Sequence, residues 1–269
     1  MKYKLIASDF DGTIYDGEKV DDRVKSAIAA YRAAGGKFCL ATGRIFSSAR
    51  QWVEPLGVDD EVIACQGAAV YHASTGEVIR KFPLEKSLAV RAAEFFEENG
   101  DVCHAYGDER FYLEKPNPLT TEYAGYCAVD PVYVGVPLSR HIPSMDAVNK
   151  VISIVSPDTI DDKIRTLRAL LGDGAEVSKS SPIYLEITAR DAGKGNALIA
   201  LADYLGVPLE ETIGVGDQLN DLSMVVTAGL GCAMGNGVPA LKQAADIVIP
   251  SIGEGGVARL IEDVLHDRI

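Results

Sequence analysis

Short apolar runs alternating with amphipathic stretches constrain this chain most, because they follow one order, are interrupted once and then resume. Residues 5–7, 37–41 and 61–65 read as buried strands. Residues 21–34 and 45–56 between them carry helical spacing, with Val24, Ala27, Ile28 and Tyr31 on one face of the first. The pattern returns with helices expected at 194–205, 220–228, 238–245 and from about 254, separated by strands at 212–216, 230–233 and 247–249. Such alternation predicts a parallel, doubly wound sheet covered on both faces by crossover helices. The grammar differs between residues 85 and 187: a helix at 85–99, strands at 102–106 and 110–113, and a Pro- and Tyr-rich connection through 137. A strand at 151–155, a helix at 158–171 and strands at 175–178 and 184–188 complete that segment. The expected fold class is α/β, a doubly wound parallel core from 1–84 and 188–269 with an α+β domain inserted at 85–187.

The 269 residues allow one large domain or two ordinary ones. A formal charge of −13 argues against a nucleic-acid or membrane-surface partner, although a bound cation can reverse the field locally. Cys39, Cys65, Cys103, Cys127 and Cys232 are odd in number and scattered, which fits buried thiols in a reducing, cytoplasmic setting. No signal peptide is evident, and the apolar stretch 225–241 is broken by Asn236 and Pro239, so no membrane span is expected. His72, His104, His141 and His266 have no ligand spacing.

Chemistry gathers at the strand ends. The first strand runs into Asp9-Phe10-Asp11-Gly12-Thr13, and on an ideal strand residues i and i+2 share a face, which would aim Asp9 and Asp11 together. Two carboxylates held that close call for a cation or a shared proton. The second strand runs into Thr42-Gly43-Arg44, and the strand at 212–216 into Asp217-Gln218-Leu219-Asn220-Asp221, where Asn220 and Asp221 equally suit a helix start. Gly214-Val215-Gly216 lacks the third glycine of a dinucleotide fingerprint, and Ala192-Gly193-Lys194-Gly195 lacks the rest of a P-loop. A doubly wound sheet sets its first strand centrally and binds ligands where the strand order reverses. Asp9, Asp11, Asp217, Thr42 and Lys194 are therefore expected in one pocket. Oxygen donors without His or Cys select Mg²⁺.

Asp-x-Asp-Gly-Thr, a strand-terminal Thr, Lys194-Gly195 and Gly216-Asp217-Gln218-Leu219-Asn220-Asp221, in this order, resemble the haloacid dehalogenase (HAD) superfamily of phosphohydrolases. Ala233-Met234-Gly235-Asn236 and the inserted segment are similar to its Cof-like branch with a type IIB cap. Gln66, where Asn is common, and Gln218, where Asn, Gly or Ser is common, depart from that pattern. The resemblance implies a Mg²⁺-dependent phosphomonoesterase acting on small phosphorylated metabolites such as sugar phosphates. It implies Asp9 as the nucleophile that forms an aspartyl-phosphate and Asp11 as general acid and base. Mg²⁺ would be held by the Asp9 carboxylate, the Asp11 carbonyl and the Asp217 carboxylate. Thr42, the Gly43 amide, Lys194 and Asn220 would bind the phosphoryl group, with Asp221 holding Lys194 or a metal-bound water. Arg44 suits a structural ion pair or a substrate contact equally. A phosphotransferase or phosphomutase on the same core, or a non-catalytic phospho-acceptor, are the alternatives. The insert shows no obvious Arg cluster for a second phosphate, and every motif acid is present. The expected partner is a small phosphate ester, and the expected state a monomer or weak homo-oligomer. Residues of the insert would choose the ester, with Tyr184 and Glu186 as candidates and Tyr112 and Glu114 as weaker ones.

Overall fold

The structure is a computed structural model that describes residues 1–107 and 109–269, with nothing stated of the Tyr126 side chain. Strand β1 (Leu5–Ser8) is buried throughout. It is followed by helix Asp22–Ala33, whose start is capped by the Asp21 carboxylate accepting from the Arg23 amide at 2.8 Å. Then come β2 (Lys37–Ala41) and β3 (Glu61–Ala64), and after them β4 (Ala69–His72) and β5 (Val78–Lys81). A second set follows: β6 (Val102–Tyr106), β7 (Phe111–Leu113), β8 (Val132–Tyr133), β9 (Lys150–Ile154), β10 (Ala175–Lys179) and β11 (Tyr184–Ala189). After helix Lys194–Leu205 the chain supplies β12 (Thr212–Gly216), β13 (Leu230–Met234) and β14 (Ile247–Ile249), then helix Gly256–Leu265.

Two compact units result, one from 1–43, 49–81 and 193–269, the other from 44–48 and 82–192. The first holds an eight-stranded sheet in the order β14-β13-β12-β1-β2-β3-β4-β5. Six strands from β14 to β3 are parallel, and β1 lies between β12 and β2, as the doubly wound expectation requires. Leu5, Ala7, Cys39, Ala41 and Ile63 on one face pack with Ala197, Leu198, Leu201 and Met224. Ile6, Phe38, Leu40 and Val62 alternate with them and are also buried, so both faces are covered.

Three stretches differ from expectation. Residues 69–81 form the antiparallel pair β4–β5, which turns at Gly76 (φ 76°) and was not anticipated. Residues 45–56 break into the short turns Phe46–Ala49, Arg50–Trp52 and Val53–Leu56, since Pro55 has no amide hydrogen and crowds the preceding turn. Within the supposed connection, Pro118–Cys127 is helical, opened by Asn117 accepting from the Leu119 amide with Pro118 at the first position. All five cysteines are buried and free. Among the described residues no helix is long and apolar enough to cross a membrane.

The second unit carries a six-stranded sheet, β10-β11-β9-β6-β7-β8. One face (Cys103, Ala105, Val151, Val177, Leu185, Ile187) packs on helices Lys86–Glu98 and Ile160–Leu171. On the other, Lys150 and Glu186 are buried as a pair at 3.0 Å, and the Ser180 hydroxyl donates to Glu186 at 2.5 Å. Tyr184 packs edge-on against Tyr123, Tyr112 lies beside His141, and Glu114 pairs with Lys115 at 3.6 Å.

His104 is fully buried on the same face among the rings of Tyr106, Phe111 and Tyr123, with centroids 4.8–5.3 Å away. Neither ring nitrogen has a hydrogen-bond partner. Burial first, and the Lys150 charge second, hold its pKa well below the usual imidazole value. The unfolded chain takes up a proton at this residue below about pH 6.5 and the folded chain does not, so stability falls as pH drops. Between pH 7 and 5.5 the expected loss from this one residue is about 1 kcal/mol. Urea unfolding of His104→Phe, compared with the native chain at both pH values, checks it: the variant shows the smaller fall.

Candidate active site

The site is built at the C-terminal ends of β1, β2 and β12 in the first unit. Asp9 follows β1 directly, its amide donating to the Val215 carbonyl at 2.9 Å, and its side chain is buried. The strand does not continue to Asp11. Beyond Asp9 the chain turns, with the amides of Ile14 and Tyr15 both donating to the Phe10 carbonyl and Gly12 at φ 84°. Strand alternation therefore does not aim Asp11 beside Asp9. Asp11 is half-buried and forms a bridge with Tyr15.

The carboxylates that do converge are Asp9, Asp217 and Asp221, each offering an oxygen within 4.8 Å of the others. Lys194, fully buried at the start of its helix, donates to Asp9 Oδ1 and to Asp221 Oδ1, both at 2.5 Å. An ammonium at a helix N-terminus is opposed by the helix dipole, and here two carboxylates offset that cost. The second oxygen of Asp221 accepts from the amides of Asp217 and Gln218, each at 3.0 Å. Gly216 leaves room for it, as a Cβ there would lie 2.3 Å from Asp221 Cβ. Asp217 is oriented by Thr13 Oγ1 at 3.2 Å and Gln218 Nε2 at 3.0 Å. Asn236 steadies the opening loop by donating to the Gly12 carbonyl at 2.8 Å. The contacts of Thr13, Gln218 and Asn236 were not foreseen, although all three lie in the motifs themselves.

Thr42 follows β2 directly, its amide donating to the Ile63 carbonyl, and its own carbonyl accepts from the Gln66 amide at 3.1 Å. Asn220 is exposed and donates to Gln66 Oε1 at 2.9 Å. Arg44 is buried.

Three carboxylates against one ammonium leave a formal charge of −2 in a buried space. Burial pushes the Asp9 carboxyl well up, and Asp221 and Asp217 add to this against the opposing pull of Lys194. Asp217 is raised by burial and by Asp221. Burial alone would lower Lys194, but Asp221 and Asp9 outweigh it and hold the ammonium protonated. The donor set is all oxygen, compact and short of positive charge, which fits a hard divalent cation.

A parallel sheet with buried carboxylates and a lysine at the strand ends beside its central strand sets an acidic, cation-seeking site where open α/β sheets bind ligands. The chain belongs to the haloacid dehalogenase-like hydrolase family, whose model matches residues 6–261, and is a phosphatase of that family in its Cof-like branch. It is similar to the Bacillus subtilis protein YxeH, with 31% identity over 98% of both chains. It is also similar to the B. subtilis 5-amino-6-(5-phospho-D-ribitylamino)uracil phosphatase YcsE, at 27% identity over 96% of this chain and 94% of that one. The HAD subclass IIB sugar phosphatase BT4131 shares the fold, with a TM-score of 0.85 and 23% identity over 97% of this chain and 98% of that one.

Proposed function

We propose that this phosphatase is Mg²⁺-dependent, works through an aspartyl-phosphate on Asp9, and hydrolyses small phosphorylated sugars and related esters. The observation that carries the reading is the buried Lys194 ammonium bound to Asp9 and Asp221 with Asp217 alongside. Asp9 attacks phosphorus in line while the bond to the leaving oxygen breaks, and Asp11 gives that oxygen its proton. Asp11 then takes a proton from water, whose oxygen attacks phosphorus and returns Asp9 as carboxylate with inorganic phosphate. Thr42, the Gly43 amide, Lys194 and Asn220 hold the phosphoryl oxygens, where positioned donors act on developing charge. Asp221 holds Lys194 in place. A divalent cation bound by the Asp9 carboxylate, the Asp11 carbonyl and the Asp217 carboxylate would offset the repulsion between nucleophile and phosphate. The substrate class is supported by relatives that act on a phosphorylated ribityl compound and on sugar phosphates. The acids and donors named all come from the first unit, so choice among esters would fall to the inserted segment, residues 85–187.

Hydrolysis of p-nitrophenyl phosphate with Mg²⁺, with excess chelator and with Ca²⁺ tests the proposal. Activity should vanish with chelator and fall with Ca²⁺, which takes more ligands at longer distances. Full activity in excess chelator rejects the metal site. A panel of sugar phosphates, nucleotides and phosphorylated cofactors then tests the substrate class, and a preference for nucleotides over every sugar phosphate counts against it.

A further inference from the structure

The turn that follows β3 touches every candidate phosphate-binding element. Cys65, Gln66 and Gly67 take φ angles of 51°, 61° and 90°, three successive residues in the left-handed region. Two of them are not glycine, and such a conformation persists only where its surroundings hold it. Each residue-level contact supplies a reason. The Gln66 amide donates to the Thr42 carbonyl at 3.1 Å. The Gln66 side-chain amide lies over Gly43, where a Cβ would meet Nε2 at 2.5 Å. Gln66 Oε1 accepts from Asn220 Nδ2 at 2.9 Å. Gly67 packs so closely on the start of the Lys194 helix that a Cβ would lie 2.3 Å from the Gly193 carbonyl carbon and 2.7 Å from the Lys194 amide nitrogen.

We infer that Gln66 is a positioning residue for the phosphoryl pocket: its backbone sets Thr42, while its side chain covers Gly43 and orients the otherwise exposed Asn220. This rests on the reading of Thr42, Gly43, Lys194 and Asn220 as the phosphate-binding set. Asn220 sits on the surface with rotamers open to it, and one acceptor that selects among them presents its amide in a fixed direction. Gln66 acts through these groups and need not touch the phosphate. The Gln66 side chain is long enough to pass over Gly43 and still reach Asn220.

The test is calorimetric binding of inorganic phosphate, with Mg²⁺ present, to the native chain and to Gln66→Ala, Asn220→Ala, Gln66→Ala/Asn220→Ala, Gln66→Glu and Lys194→Ala. Residues that orient metal ligands are typically worth about 10–100-fold in affinity or activity, and an effect at the lower end of that scale is expected here. Gln66→Ala is expected to weaken phosphate about tenfold, and the double variant to bind worse than Asn220→Ala alone by clearly less than that factor, because the Gln66–Asn220 bond is common to both changes. Gln66→Glu keeps the size and the acceptor but sets an anion over Gly43. Relative to the native chain it is expected to weaken phosphate at least tenfold at pH 8 and by less as added salt screens the new charge, a salt dependence that a merely structural role would not produce. Should Gln66→Ala fail to fold, Gln66→Glu decides. Unchanged phosphate binding in the folded variants, or effects of Gln66→Ala and Asn220→Ala that multiply, overturns the inference. If Lys194→Ala loses phosphate and the Gln66 variants keep it, only the role of Gln66 falls. If Lys194→Ala also keeps it, the phosphate-binding set falls and the inference with it.

Discussion

Asp9→Asn is expected to lower turnover of p-nitrophenyl phosphate by about 10⁴-fold or more while the protein stays folded with an undiminished Tm. The size follows from removing the atom that forms the covalent bond, a loss for which the remaining groups cannot substitute. Retention of stability follows from the electrostatics. Asp9 is buried beside Asp217 and Asp221, and its carboxyl is pushed up because its charge is unfavourable there. An amide of the same shape relieves that repulsion and leaves Lys194 its bond to Asp221. Thermal melts and steady-state rates on the same preparations check both halves, and a folded Asp9→Asn enzyme with near-native rate rules out the covalent route. Asp11→Asn should lose about 10²–10⁴-fold, the usual weight of a general acid, with phosphate affinity little changed.

Lys194→Met is expected to cost both activity and stability. A positioned donor to developing charge contributes roughly 2.7–4 kcal/mol, so kcat/KM should drop about 10²–10³-fold. The lysine is also the one cation bound within the buried trio of carboxylates among the described residues, and leaving buried charges without their partner typically destabilises by about 3–5 kcal/mol. Methionine keeps most of the volume, so the loss reports charge and not a cavity. Adding Asp221→Asn should recover part of the stability and none of the activity. Denaturant midpoints of the single and double variants, measured in chelator, separate these terms, and an unchanged midpoint for Lys194→Met removes the electrostatic account.

Much of this architecture is carried by local pattern. The alternation of apolar runs and amphipathic helices points to a doubly wound sheet, because short apolar runs at 5–8, 37–41 and 212–216, set between helix-spaced stretches, suit strands buried on both faces. The helix start at Asp21 and the helix from Lys194 are likewise legible from capping chemistry and spacing. Local pattern fails where a segment's partner decides its state. Residues 69–81 become an antiparallel pair because β3 offers a sheet edge, and their own alternation is too weak to announce it. The same holds for side-chain direction. The sequence by itself determined which acids lie at strand ends, but strand alternation does not extend to Asp11, since the chain turns after Asp9. Only the tertiary structure decided that Asp9, Asp217 and Asp221 share one buried space, that Lys194 bridges two of them across 185 positions, and that Gln66 reaches Asn220 across 154. Periodicity encodes which face of an element is buried. It carries no information on which atoms from distant strand ends fall within hydrogen-bond reach, because that depends on strand order, register and the turns beyond each strand.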